Sequence, residues 1–200
     1  AFLKSRSCLS EGQILLISSV AFIGGVSSLW SLGSRFDRVG SKPVLGAACL
    51  GWLLVLAGWG AMAGGVLQPK LGIILGLQFL MGLLAAAVSM ANNKLAMSIA
   101  PAMGRNHFFA IFSVVSNVTL GLSPIAWGLL IDAVGTHAPL LLGIEWNRFT
   151  LFFAGTALAA AVMWGIVHRL DEPKAASLET LLREILIQSP QRFWLRFWPR

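Results

Sequence analysis

Two hundred residues carry only 23 charged side chains, 15 basic and 8 acidic, while 56% of positions are apolar. So few charges cannot cover a water-soluble domain of this size, and so apolar a chain is not intrinsically disordered. The net charge of +7 sits in short clusters between long charge-free runs, the pattern of an integral membrane protein rather than of a nucleic-acid binder.

The chain opens on Ala1 with no signal-peptide architecture, and reads as a segment of a longer protein. Residues 1–11 are a polar lead, and Ser10 with Gln13 three positions later forms a capping box that opens the first helix. Five runs follow, each long enough to cross roughly 30 Å of hydrocarbon as a helix. The predicted spans are 12–34, 43–67, 71–93, 107–131 and 149–168. None alternates with the period of a membrane barrel, so the fold class is an all-α, multi-pass transmembrane bundle. Five helices buried in a soluble protein is the competing reading, and no run has a polar face wide enough to meet water. Cys8 and Cys49 read as packing residues rather than a disulfide pair.

Span one is rich in serine, and Gly24 and Gly25 allow another helix to come close. Span two has few hydrogen-bonding side chains and reads as the most lipid-facing helix. Gly60 with Gly64, and Gly72 with Gly76, are small-residue packing signals. In span three Gln78, Gly82, Ala85, Ser89 and Asn92 share one small, polar face. Span four repeats the design with Ser113, Asn117, Gly121, Pro124 and Gly128; Pro124 frees the carbonyl of Leu120 and favours a kink. Amides at membrane depth are costly, so Gln78 and Asn117 line either a helix interface or a wet path for a solute. Ser89, Asn92 and Ser113 are further candidates on the same faces.

Residues 132–148 form a loop with His137, Glu145 and Trp146, and span five carries a small stripe of Ala154, Ala157, Ala161 and Gly165. Residues 171–200 read as an amphipathic tail on the membrane surface, with Arg and aromatic residues at its end. Eleven of the fifteen basic residues fall on one side of the five spans, which puts the 35–42 loop and the C-terminus in the cytoplasm. The membrane expected is the plasma (inner) membrane.

The loop between spans one and two carries the sharpest motif, with Gly33, Asp37, Arg38, Gly40 and Lys42 in fixed spacing. It resembles the major facilitator superfamily, which carries G-x-[apolar]-[small]-D-R-x-G-[RK]-[RK] between its second and third helices and a decayed copy between the eighth and ninth. Arg35, Phe36 and Ser41 depart from the pattern, which favours the decayed copy. The stretch 92–135, with its Pro124–Gly128 break, is similar to the tenth and eleventh helices of that family. The resemblance implies helices eight to twelve of a secondary transporter, with the N-terminal half of the same protein as partner. Span three would line the cavity, spans one and four the interface between halves, and spans two and five the lipid. Asp37, Arg38 and Lys42 would control a cytoplasmic gate.

No Asp, Glu, Lys or Arg lies inside a predicted span, so no proton relay is visible, and His107, His137 and His168 read as surface residues. The Cys and His residues show no metal-ligand spacing and no phosphate-binding loop occurs, so neither a metal nor a cofactor is expected. The function expected is transport of a small solute by alternating access. A membrane enzyme would need an acid, base or nucleophile network that is not visible. The alternative is a truncated or stand-alone five-helix scaffold without transport activity.

Overall fold

A computed structural model describes residues 10–33, 40–101, 103–134, 139–141 and 143–170. Five helices account for nearly all of them: α1 (Glu11–Leu32), α2 (Ser41–Ala63), α3 (Leu71–Ile99), α4 (Arg105–Val134) and α5 (Arg148–His168). All five are long and apolar enough to cross a membrane. Two strands the sequence reading does not anticipate, β1 (Leu140–Leu141) and β2 (Ile144–Glu145), form a minimal antiparallel hairpin before α5. The predicted amphipathic tail and His137 lie outside the described residues.

The helix ends follow local chemistry. Ser10 Oγ accepts from the Gln13 backbone N–H at 3.3 Å, and Gln13 Oε1 accepts from the Ser10 N–H at 2.9 Å, the reciprocal box expected. Helix α2 stops at Ala63, short of the predicted 67, because Gly64 caps it and Gly65 turns away at φ +77°. Helices α3 and α4 overrun their predicted spans. At 29 and 30 residues they are about 43–45 Å long, so they project past the hydrocarbon.

In lipid, helices gain little from hiding apolar surface and associate through close packing. The closest approach here joins α1 to α3. A methyl group on Gly24 would collide with the Phe79 carbonyl, and one on Gly82 with the Ala21 carbonyl; Gly25 faces Gly82 and Ala86. Helix α2 meets α3 differently, through leucines seated over glycines. A methyl on Gly51 would lie 2.7 Å from a Leu84 methyl, and one on Gly58 3.0 Å from a Leu77 methyl. On its other side α2 packs α5, with Trp59 stacked on Phe153 at 6.1 Å and Phe153 beside Gly60. At Gly72 and Gly76 no described residue lies within 4 Å of where a Cβ atom would be.

Helix α2 is therefore the most enclosed of the five, not the most lipid-facing as its sequence suggested. Eleven of its residues are buried, against none in α4. An apolar side chain fits lipid and a neighbouring helix equally well, so a lack of polar groups does not tell the two apart. Two core clusters mark the ends of the bundle. Val44, Leu45, Ala87, Ala91 and Val167 gather with Leu32 and Leu95 at one end. Ile17, Trp59, Met62 and Ile74 gather with Phe149 and Phe153 at the other.

At this second end a clasp ties α2 to α5. Asn147 caps α5, its Oδ1 accepting from the N–H groups of Phe149 (2.9 Å) and Thr150 (3.0 Å). Its Nδ2 donates to the Ala63 carbonyl at 2.7 Å, satisfying one of the open carbonyls at the end of α2. The Glu145 N–H donates to the Gly64 carbonyl at 3.0 Å, and Thr150 Oγ1 donates to the Glu145 carbonyl at 2.8 Å.

Two outcomes follow for stability, read from unfolding in mixed micelles. Gly82→Leu should cost about 3 kcal/mol or more by forcing α1 and α3 apart, whereas Gly76→Ala should stay within about 1 kcal/mol. Asn147→Ala should cost about 2–3 kcal/mol, having lost a helix cap and left a buried carbonyl open. Asn147→Ser, which keeps the cap but cannot reach Ala63, should fall between.

Candidate functional site

The loop motif is framed by its two glycines. Gly33 closes α1, its N–H donating to the Leu29 carbonyl at 2.9 Å. Gly40 opens α2 and is buried with φ +89°, a left-handed conformation in which a side chain would be strained. The motif's second glycine is thus explained by backbone geometry. Lys42 is half-buried in the first turn of α2, and Pro43 follows it, where the missing N–H costs nothing. Asp37 and Arg38, with the departures Arg35 and Phe36, lie outside the described residues.

The polar stripe of α3 runs beside the α1 contact. Gly82 lies under α1, Gln78 is half-buried, and Ala85, Ser89 and Asn92 are exposed. The stripe therefore combines a packing seam at Gly82 with an open face beyond it. On α4, Asn117 Nδ2 donates to Ser113 Oγ at 3.2 Å, one helical turn away, so these two are joined. Both are exposed, as are Gly121 and Pro124, and no described residue lies within 4 Å of the Cβ positions of Gly121 or Gly128. Helix α4 packs on α5 rather than along α3, so the two stripes are not brought into one closed site within this chain.

Three features escaped the sequence reading. Ser28, on the same α1 stripe as Ile17 and Gly24, is fully buried, with no hydrogen-bond partner for its Oγ among the described residues. Its spacing of four from Gly24 was the available signal. Asn147 lies in a stretch that reads as loop, yet it caps α5 and holds the end of α2. Lys94, placed in a loop by its charge, is inside α3 five residues before the helix ends, and Asp132 is inside α4 two residues before its end. Both sit near the ends of helices longer than the hydrocarbon requires, where a charged side chain can reach the headgroups.

The arrangement is a bundle of five helices of membrane-spanning length with small, uncharged polar groups exposed on α3 and α4. No curated protein and no solved structure matches the chain. The family profile described as Major Facilitator Superfamily matches residues 2–198, nearly the whole length. With five apolar helices of spanning length and a match of that extent, the chain belongs to the Major Facilitator Superfamily, an integral membrane protein of a transporter family and not an enzyme.

Proposed function

We propose that this chain forms most of the C-terminal half of a secondary active transporter that moves a small solute by alternating access. The observation that carries the reading is the exposure of Ser89, Asn92, Ser113 and Asn117 on otherwise apolar helices. Amide and hydroxyl groups are costly against lipid, so these faces call for a wet cavity or a second polar surface. The other half of the same protein, enclosing a cavity against α3 and α4, supplies both. In family terms α1 to α5 are helices eight to twelve, a reading supported by the departures of the 33–42 loop from the stronger first copy of the motif. A wall of Gln, Asn and Ser without ionised groups suits a neutral or mixed-polarity solute, bound by hydrogen bonds rather than by ion pairing.

The core cluster that gathers Leu32, Val44, Leu95 and Val167 puts the end of α1, the start of α2 and the ends of α3 and α5 at one end of the bundle. The basic excess assigns that end to the cytoplasm. Asp37, Arg38 and Lys42 then act as a gate, pairing in one state and parting in the other. The 171–200 tail lies on the cytoplasmic membrane face of the plasma membrane.

The orientation is tested by accessibility. In a cysteine-free background, an impermeant maleimide should label Gln68→Cys from outside intact cells and Met103→Cys only after permeabilisation; the reverse pattern overturns the orientation. Transport is tested by uptake of neutral and mixed-polarity solutes into proteoliposomes. Asp37→Asn should lower uptake about fivefold or more without impairing insertion, and full uptake would remove the gate role. Gln78→Ala should raise KM several-fold with kcat little changed, while unaltered kinetics would leave Gln78 a packing residue.

A further inference from the structure

We propose that the leucine-bearing segment 177–187 of this chain docks on the turn between α3 and α4, at the end of the bundle where α5 also stops. The docking surface is an apolar tip that stands beyond the acyl chains. Val167, next to the last residue of α5, packs in one cluster with Ala91 of α3. Helix α5 has 21 residues and is about 31 Å long, so it just crosses the hydrocarbon. Ala91 is therefore level with the hydrocarbon boundary, and α3 runs on to Ile99, about 12 Å further. On this overhang Met97 and Ile99 are 60% and 62% exposed, and Met103 in the following turn is 91% exposed. Gly104, at φ +80°, turns the chain into α4, and its carbonyl accepts from the Phe108 N–H at 3.1 Å, which ties the turn to that helix. Met97 is about 140° around α3 from Asn92, so it is not on the face given to the other half of the protein. Lys94 lies one turn before Met97, and Arg105 and His107 follow Met103, while the sequence has no Asp or Glu between residues 38 and 131. The tip is thus apolar with a basic rim, and two of its three apolar side chains are methionines, which adapt to an apolar partner.

The occupant is identified by pattern, charge and reach. In the tail, which lies outside the described residues, Leu178, Leu181, Leu182 and Ile185 recur at helical spacing with Leu186 beside them. On a helix Glu179 and Glu184 border that stripe, one on each edge. Residues 171–187 carry four acids against two bases. A helix lying on an anionic leaflet by an apolar stripe carries Lys and Arg on its polar face, so the glutamates suit the basic rim of the tip instead. Seven residues separate Leu170 from Ser177 and extend up to about 24 Å, enough to climb the 12 Å or so from the end of α5 to the tip. Arg192 to Trp198, with their arginines and aromatic rings, stay among the headgroups. The tail thus keeps its place on the membrane face while its leucine stripe turns to protein. Docking ties the α3–α4 turn to the end of α5, and it uses one end of the bundle only, so it depends on neither a solute nor a membrane orientation.

The test uses the full chain with Cys8→Ser and Cys49→Ala, one copy per phosphatidylcholine nanodisc. Met103→Cys should react with an uncharged maleimide about fivefold or more slowly than the same thiol in a chain that also carries Leu178→Asn and Leu182→Asn. Gln68→Cys, at the opposite end of the bundle, should react alike with and without those two substitutions. Glu179→Lys with Glu184→Lys should also release the Met103→Cys thiol, and salt at about 1 M, which cuts screening to roughly 3 Å, should speed its reaction in the intact tail. Spin labels on Asn106→Cys and Arg183→Cys should give a narrow distance peak below about 30 Å, as for packed helices bearing outward labels, and the two Leu→Asn substitutions should broaden it. A Met103→Cys rate that the Leu→Asn substitutions leave unchanged overturns the docking, since any shielding then belongs to lipid or another occupant. A broad distance distribution in the intact tail overturns it as well, placing the leucine stripe on the bilayer. Both readouts are made without solute, so a failed uptake assay leaves the docking standing, and a free tail leaves the transport reading standing.

Discussion

The backbone approach of α1 to α3 is the contact on which the rest of the bundle depends. Bringing two helices into carbonyl contact requires that side chains be absent, and Gly24, Gly25 and Gly82 remove them at the crossing. The contact fixes the rotation of α3 about its own axis. That rotation aims Leu77 and Leu84 at the glycine notches of α2 and leaves the Ser89 and Asn92 face open. Helix α2, held by those leucines, in turn carries α5 through Trp59, Phe153 and the Asn147 clasp. A polar face stays available at membrane depth because the small residues beside it already satisfy the packing.

Some of this is legible in residues alone, and the reason is always locality. The Ser10–Gln13 box is a short-range hydrogen-bond pattern, and it forms as written. Helix type and number follow from run length against bilayer thickness. The motif glycine at position 40 follows from turn chemistry. What failed is what depends on neighbours. Helix α2 read as lipid-facing because apolar side chains carry no mark of whether lipid or protein will cover them. Gly60 and Gly72 are equivalent as sequence, yet Phe153 lies over one and no described residue over the other. Asn147 could not be singled out because the partner of its amide nitrogen is a backbone carbonyl, which has no sequence signature.

The polar stripes show a subtler limit. Helical spacing correctly puts Gln78, Gly82, Ser89 and Asn92 on one face, but it treats that face as uniform. In three dimensions it is divided. Its Gly82 end is a seam against α1 and its Ser89–Asn92 end is open. The α4 stripe, by contrast, is exposed from Ser113 to Pro124, and the bond from Asn117 to Ser113 partly shields the amide from apolar surroundings. One pattern in sequence thus yields a divided face on one helix and an open one on the other.

The clasp at Asn147 also orders events in time. Its amide reaches back 84 positions to the last carbonyl of α2. While a ribosome delivers the chain from one end, α2 enters the membrane, and α3 and α4 follow, before that asparagine exists. Throughout this interval the terminus of α2 is an unfinished edge that only water or headgroups can satisfy. Closure of the hairpin over Gly64 therefore comes late relative to α2, and it joins two helices with α3 and α4 made between them. Nascent chains stopped before residue 147 lack this closure however well their individual helices have formed.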